Sequence, residues 1–158
     1  MEYKTNVMRI LDARKFQYSH YEYSPEYAPT GLDVANVLGQ NPAQVFKTLV
    51  TVGRNNKNYV FMIPVGAELD LKRAAAAVGE KSLAMLKQRD LLGLTGYIHG
   101  GCSPIGMKKQ FPTVADVSAN HFATIIFSAG RVGHQVEMSP TALTKIIPLT
   151  FADICMGQ

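Results

Sequence analysis

A chain of 158 residues, 47% of them apolar and with a formal charge of +4, fits one globular domain with a core of its own. It has no apolar run of eighteen residues to span a membrane, and Glu2, Lys4, Arg9 and Asp12 stand where a secretory signal would be apolar. Two cysteines, Cys102 and Cys155, argue against a disulfide framework and for a reducing, cytoplasmic setting, and the small positive charge suits an anionic partner without demanding one.

In chain order, Thr5 or Asn6 caps a helix running to about Lys15, with Val7, Ile10 and Leu11 on one face. Residues 16–23 alternate aromatic and polar side chains, as a strand does. Pro25 and Pro29 break that strand, Thr30 caps a short helix that ends at Gly39, and Pro42 opens one further turn. Residues 45–52 read as a strand with Phe46, Thr48 and Val50 on one face and Lys47, Leu49 and Thr51 on the other. The polar turn 54–58 joins it to a second strand, 59–63, giving a hairpin. Residues 70–78 are alanine-rich and stopped by Gly79, a helix; Ser82 caps another that carries Leu83 and Leu86. Apolar strands follow near Val114, at 123–127 and at 134–138, and Ser139-Pro140 opens a helix to about Ile147. No linker, repeat or low-complexity tract interrupts residues 1–158, so they read as one mixed α/β domain. Its sheet is largely antiparallel, with helices outside.

Two segments carry possible chemistry. Residues 96–106, Gly-Tyr-Ile-His-Gly-Gly-Cys-Ser-Pro-Ile-Gly, hold four glycines and a proline, which no helix or central strand accommodates. Such a loop is either a tight surface turn or a place where the amides of Gly100 and Gly101 approach a ligand and meet an oxyanion. Lys47, at the head of the 45–52 strand, is a solvated edge residue unless its face looks into a pocket, where a fixed ammonium holds phosphate or developing negative charge. Lys108 and Lys109 leave the glycine loop directly; they are a solvated turn or cations for the phosphates of an RNA end.

Other chemistries fail on spacing. A nucleophile elbow at Ser103 needs glycine where Ile105 stands and an N–H where Pro104 has none. The P-loop likeness of residues 101–108 fails because the lysine comes one residue late and no Ser or Thr follows it. His20, His99, His121 and His134 are scattered without metal-binding spacing, and no cofactor motif is present. Cys102 has no neighbouring base in sequence to activate it, and Asp33 and Glu137 need no role as bases.

In their order and spacing, Phe46-Lys47-Thr48-Leu49, Asp70-Leu71-Lys72-Arg73-Ala74-Ala75, the Gly-Gly-x-Ser-Pro loop, Ser128-Ala129-Gly130-Arg131 and Val136-Glu137-Met138 make the chain resemble, over nearly its whole length, the YbaK family of aminoacyl-tRNA deacylases. Members share a domain type with the editing insertion of bacterial prolyl-tRNA synthetases, and the Gly-Gly-x-Ser-Pro form is similar to the branch acting on Cys-tRNA(Pro). The resemblance implies a curved, barrel-like sheet flanked by helices. It also implies a pocket for the 3′ end of tRNA(Pro), with prolyl-tRNA synthetase as a candidate partner. Lys47, Gly100 and Gly101 would act on the ester. Tyr21, Thr30, Thr48, Ser128, Lys108 and Lys109 would bind substrate, although Thr30 stands where related cysteine-directed members carry an aromatic residue.

In that branch the substrate's own thiol attacks the ester, so a clamp suffices and no protein nucleophile is needed. A water-mediated deacylase for another amino acid such as alanine, and a non-catalytic module binding tRNA or a synthetase, are alternatives built on the same residues. A general small-molecule hydrolase fits less well, since the nucleophile motifs fail.

Overall fold

Four of the helices begin where the sequence supplies a capping side chain. The computed structural model describes residues 3–157. Thr5 caps α1 (Asn6–Ala13), Thr30 caps α2 (Gly31–Val37), Asp70 caps α3 (Leu71–Val78) and Ser139 caps α5 (Pro140–Leu143), each side-chain oxygen accepting a first-turn N–H. At α2 the cap is reciprocal, because the Asp33 carboxylate accepts the Thr30 N–H in return. Gly79 ends α3 in the left-handed conformation, φ 76°.

The hairpin forms as expected: β2 (Phe46–Val52) and β3 (Asn58–Pro64) pair antiparallel, Lys47 opposite Ile63. They belong to a five-stranded sheet in the order β4-β2-β3-β5-β8, completed by β4 (Ala84–Met85), β5 (Thr113–Asp116) and β8 (Leu149–Ala152). β5 joins β3 in parallel and β8 joins β5 in parallel. A second, wholly antiparallel sheet runs β1-β7-β6, from β1 (Ser19–Glu22), β7 (His134–Met138) and β6 (Ile125–Ser128). The mixed, largely antiparallel architecture flanked by helices is therefore present, as two sheets rather than one closed barrel among the described residues. Between them those residues form a single parallel bridge, Val45 to Ile126.

Three elements differ from expectation. The segment after Ser82 is not a helix: it forms the two-residue β4, and the Leu86 N–H donates to the Val50 carbonyl at 3.0 Å. Edge pairing there overrides the helical propensity of Leu, Ala and Met. The helix lies six residues later, as α4 (Gln88–Thr95), closed by Gly96 at φ 86°. α5 is a single turn that stops well short of Ile147, and β8 follows it.

The main core lies between the sheets and α1, around Val7, Met8, Leu11, Phe46, Ile105, Phe127 and Met138. A second cluster, around Phe61, Ile63, Ala74, Ala75, Val114, Ile154 and Cys155, fills the other face of the five-stranded sheet. β2 thus has a core on each side. Phe46 and Val50 face one, and Leu49 packs on the other.

Candidate functional site

From the Val45–Ile126 bridge, β2 and β6 diverge, and a cavity of ≈ 430 Å³ opens in the gap. Its walls come from the N-terminal half of β2, the Thr30 cap of α2, Leu91 of α4, the glycine loop at His99, Gly100 and Cys102, and Ser128 at the end of β6. The hydrogen-bond register shows what β2 offers to the gap. Val45 gives its carbonyl to Val65 on the β3 side at 2.8 Å, whereas Val50 gives its carbonyl to Leu86 on the opposite edge. Backbone polar groups of successive residues alternate sides, so Thr48 turns its N–H and C=O to that edge, beyond the bridge and before β4 begins. The Thr48 hydroxyl oxygen is buried as well and has no partner among the described residues.

Lys47, Thr48, Thr30, Gly100 and Ser128 are brought together in this one cavity, although they are far apart in sequence. Lys47 is half-buried and forms no ion pair or hydrogen bond among the described residues. An ammonium at an enclosed wall without a carboxylate partner is available to an incoming anion. Thr30 stands on the rim, its hydroxyl already engaged with Asp33 at 2.7 Å. The Ser128 hydroxyl accepts the Gly130 N–H at 3.1 Å and so shapes the turn after β6.

The glycine loop is internally tied. The Tyr97 hydroxyl donates to the Ile105 carbonyl at 2.5 Å, the Ile105 N–H to Ser103 Oγ at 3.3 Å, and the Gly101 N–H to the Ile98 carbonyl at 3.0 Å. Gly100 has φ 86°, a conformation that favours glycine, and its N–H meets no acceptor among the described residues. Gly101 lies outside the cavity lining. A Cβ there would come within 3.1 Å of the Val132 backbone nitrogen, so its missing side chain serves packing against residues 131 and 132. Ser103 is fully buried. Burial pushes the Cys102 thiol up to about 12, which keeps it protonated at neutral pH although it lines the cavity.

Tyr21 sits elsewhere. Its hydroxyl donates to the Glu137 carboxylate, and this bond, followed by burial, raises the phenol above its ordinary value. Glu137 also accepts from Thr124 Oγ1 at 2.5 Å, so it ties β1 and β7 to the start of β6. Tyr23 lines the cavity instead, together with Gln135 and Leu91, none of which a motif singles out. Lys108 and Lys109 are exposed outside it: the Lys108 ammonium reaches the Gly93 carbonyl at 3.4 Å, and Lys109 lies 5.9 Å from the Phe111 ring centre. Among the described residues no group of three His, Cys, Asp or Glu side chains is placed to hold a metal ion. None of their helices is long and apolar enough to cross a membrane.

The family model of the aminoacyl-tRNA editing domain matches residues 26–146. EbsC of Enterococcus faecalis, which carries the provisional name of a Cys-tRNA(Pro)/Cys-tRNA(Cys) deacylase, is 46% identical over 152 residues, covering 96% of this chain and 93% of that protein. A proline–tRNA ligase of Shouchella clausii is 29% identical over 118 residues, 74% of this chain but 20% of the ligase. Two solved structures share the fold. One, described provisionally as a trans-editing enzyme for prolyl-tRNA synthetase, superposes with a TM-score of 0.85 at 24% identity, covering 99% of this chain and 100% of its own. The other, the hypothetical protein APE2540, has a TM-score of 0.85 at 21% identity, covering 94% and 98%.

Proposed function

The chain belongs to the aminoacyl-tRNA editing domain family, and from that premise we propose that it deacylates mischarged Cys-tRNA(Pro) in trans. The observation that carries this reading is Lys47: a half-buried ammonium without an ionic partner among the described residues, in the same cavity as the unengaged Gly100 N–H and the open edge of Thr48. An aminoacyl ester is already activated, so orientation and stabilisation of the oxyanion are enough to accelerate its cleavage. The Thr48 edge and Thr30 rim hold the 3′-terminal aminoacyl-adenosine. The Gly100 N–H meets the ester oxygen as it becomes an oxyanion, and Lys47 stabilises the same charge.

A protonated Cys102 and a buried Ser103 support a nucleophile that comes from the substrate. The cysteinyl thiolate attacks the ester carbonyl carbon and a C–S bond forms. The C–O bond to the ribose breaks, the 3′ oxygen takes up a proton, and a cyclic thiolactone leaves for hydrolysis in water. Gly101 acts through the loop, whose shape it permits. Lys108 and Lys109 meet the phosphates upstream of the 3′ end. A domain of this size has little surface for reading a tRNA body, so a prolyl-tRNA synthetase that presents the tRNA supplies that selection. The reaction belongs in the cytoplasm, where tRNA is charged.

The test is loss of the ester from cysteinyl-, alanyl- and prolyl-tRNA(Pro) with purified protein, alongside Lys47→Ala. Cleavage of the cysteinyl ester alone, lowered about 10²- to 10³-fold in the variant, is the expected result. An S-methylated cysteinyl ester should resist, and its cleavage at the normal rate would replace the thiol by water. No ester loss with any substrate would leave a binding module.

A further inference from the structure

The cavity's floor and rim differ in chemistry. Ala28, Val34 and Val45, exposed by 3%, 4% and 2%, form an apolar floor. Gln135 lies among them at 6% exposure, the one amide side chain in that floor. It sits on the central strand β7, opposite Tyr21 on one side and Ser128 on the other, so its backbone is fixed from both edges.

Its side chain is fixed as well. Gln40, whose own N–H is tied to the Ala35 carbonyl at 2.8 Å, donates Nε2 to Gln135 Oε1 at 2.8 Å. With Oε1 engaged, the two N–H bonds of Gln135 Nε2 are left over, and they meet no acceptor among the described residues. Nε2 is not fully enclosed, whereas Gln40 Oε1 is enclosed and unpartnered among those residues. The unengaged donor of the pair thus belongs to Gln135, which lines the cavity, and the enclosed acceptor to Gln40.

We propose that Gln135 is a specificity-determining residue, donating from Nε2 to the heteroatom at the tip of the aminoacyl side chain, and that Gln40 is the positioning residue that holds the amide in that sense. The inference rests on the reading of the cavity as an aminoacyl-tRNA site. A small apolar floor with one hydrogen-bond donor suits a short side chain ending in sulfur or oxygen. Alanyl and prolyl side chains carry no acceptor and would strip water from Nε2 without replacing it. For cysteine, a donor at the sulfur also favours the thiolate.

The experiment compares kcat/KM for cysteinyl- and alanyl-tRNA(Pro) in the wild type, Gln135→Met, Gln135→Leu and Gln40→Met, each checked for folding by its thermal melt. Methionine is close to glutamine in length and keeps the floor filled, and leucine is a second route if that variant does not fold. The expected result is a cysteinyl-to-alanyl ratio lowered about tenfold in either Gln135 variant. Gln40→Met should lower the ratio in the same sense, a change that simple destabilisation would not produce because both substrates would then fall together. A folded Gln135→Met protein with the wild-type ratio, or an equal fall on both substrates, would overturn the inference. If the wild type cleaves neither ester, the deacylase reading fails first and takes this inference with it. Selectivity retained over an active wild type sinks only the role of Gln135.

Discussion

Replacing Tyr97 by phenylalanine isolates one bond that holds the glycine loop. Tyr97 is 8% exposed and Ile105 1%, and the hydroxyl of the first donates to the carbonyl of the second at 2.5 Å. The hydroxyl fills the space beside Gly106 and the ring the space beside Gly130, where an added Cβ would lie 2.8 and 2.9 Å from them. Tyr97→Phe leaves the ring in place and takes away only the hydroxyl. What it removes is a side-chain donor to a buried carbonyl. An acceptor left unsatisfied in that way costs about 1–3 kcal/mol. A domain of this size loses roughly 2–4 °C in Tm per kcal/mol, so the melt should fall by about 2–12 °C. Urea unfolding followed by far-UV circular dichroism gives the free energy directly, with the midpoint lowered and the slope unchanged. Because Gly100 lies in the same loop, kcat/KM measured where both proteins are folded should also fall. A variant within about 0.5 kcal/mol of the wild type would refute the claim that this hydroxyl ties the loop.

Two further outcomes follow from charged groups. Burial alone would raise the pKa of Asp116, but the Ser118 side chain, the Ile154 and Ser118 N–H groups and the Cys155 thiol outweigh it and hold the carboxyl below its ordinary value. A carboxyl lowered on folding contributes stability that is complete above its unfolded value, near pH 4, and is lost as pH falls through the folded value. Asp116→Asn should flatten the acid side of the pH–stability curve measured by urea midpoints, and an unchanged acid slope would contradict it. Replacing Lys108 or Lys109 by alanine should weaken tRNA binding and reduce its logarithmic salt slope by about one for each phosphate no longer neutralised, leaving Tm alone; an unchanged slope in a filter-binding titration would remove them from the RNA path.

Much of the frame is legible in local sequence because caps and turns are short-range devices. Thr5, Thr30, Asp70 and Ser139 each mark a helix start, and the polar run between 52 and 58 marks the hairpin. What local sequence hides is set by distant partners. Ser82 followed by Leu, Ala and Met reads as a helix until β2 offers an edge, and β8 exists because β5 pairs with it in parallel. Within the site, Lys47 and Thr48 are visible as a polar interruption in an apolar strand. Tyr21 and Tyr23 are indistinguishable in sequence, since both point to one face of the same extended segment; the Glu137 carboxylate claims the first and leaves the second to the cavity. Gly101 reads as a ligand contact, yet Val132 crosses directly over it. Gln40 and Gln135, ninety-five positions apart, carry no spacing signal.

The gap between β2 and β6 makes the protein's mechanics and its chemistry one question. Among the described residues one bridge clasps the sheets there, so the width of the cleft is set by the core packed between the two sheets rather than by a ladder across the opening. A methyl group removed beside Met138, far from any substrate, would therefore be felt as a change of aperture. In the other direction, a molecule that spans the gap acts as a missing rung, and the occupied protein should melt as a stiffer, more cooperative body than the empty one.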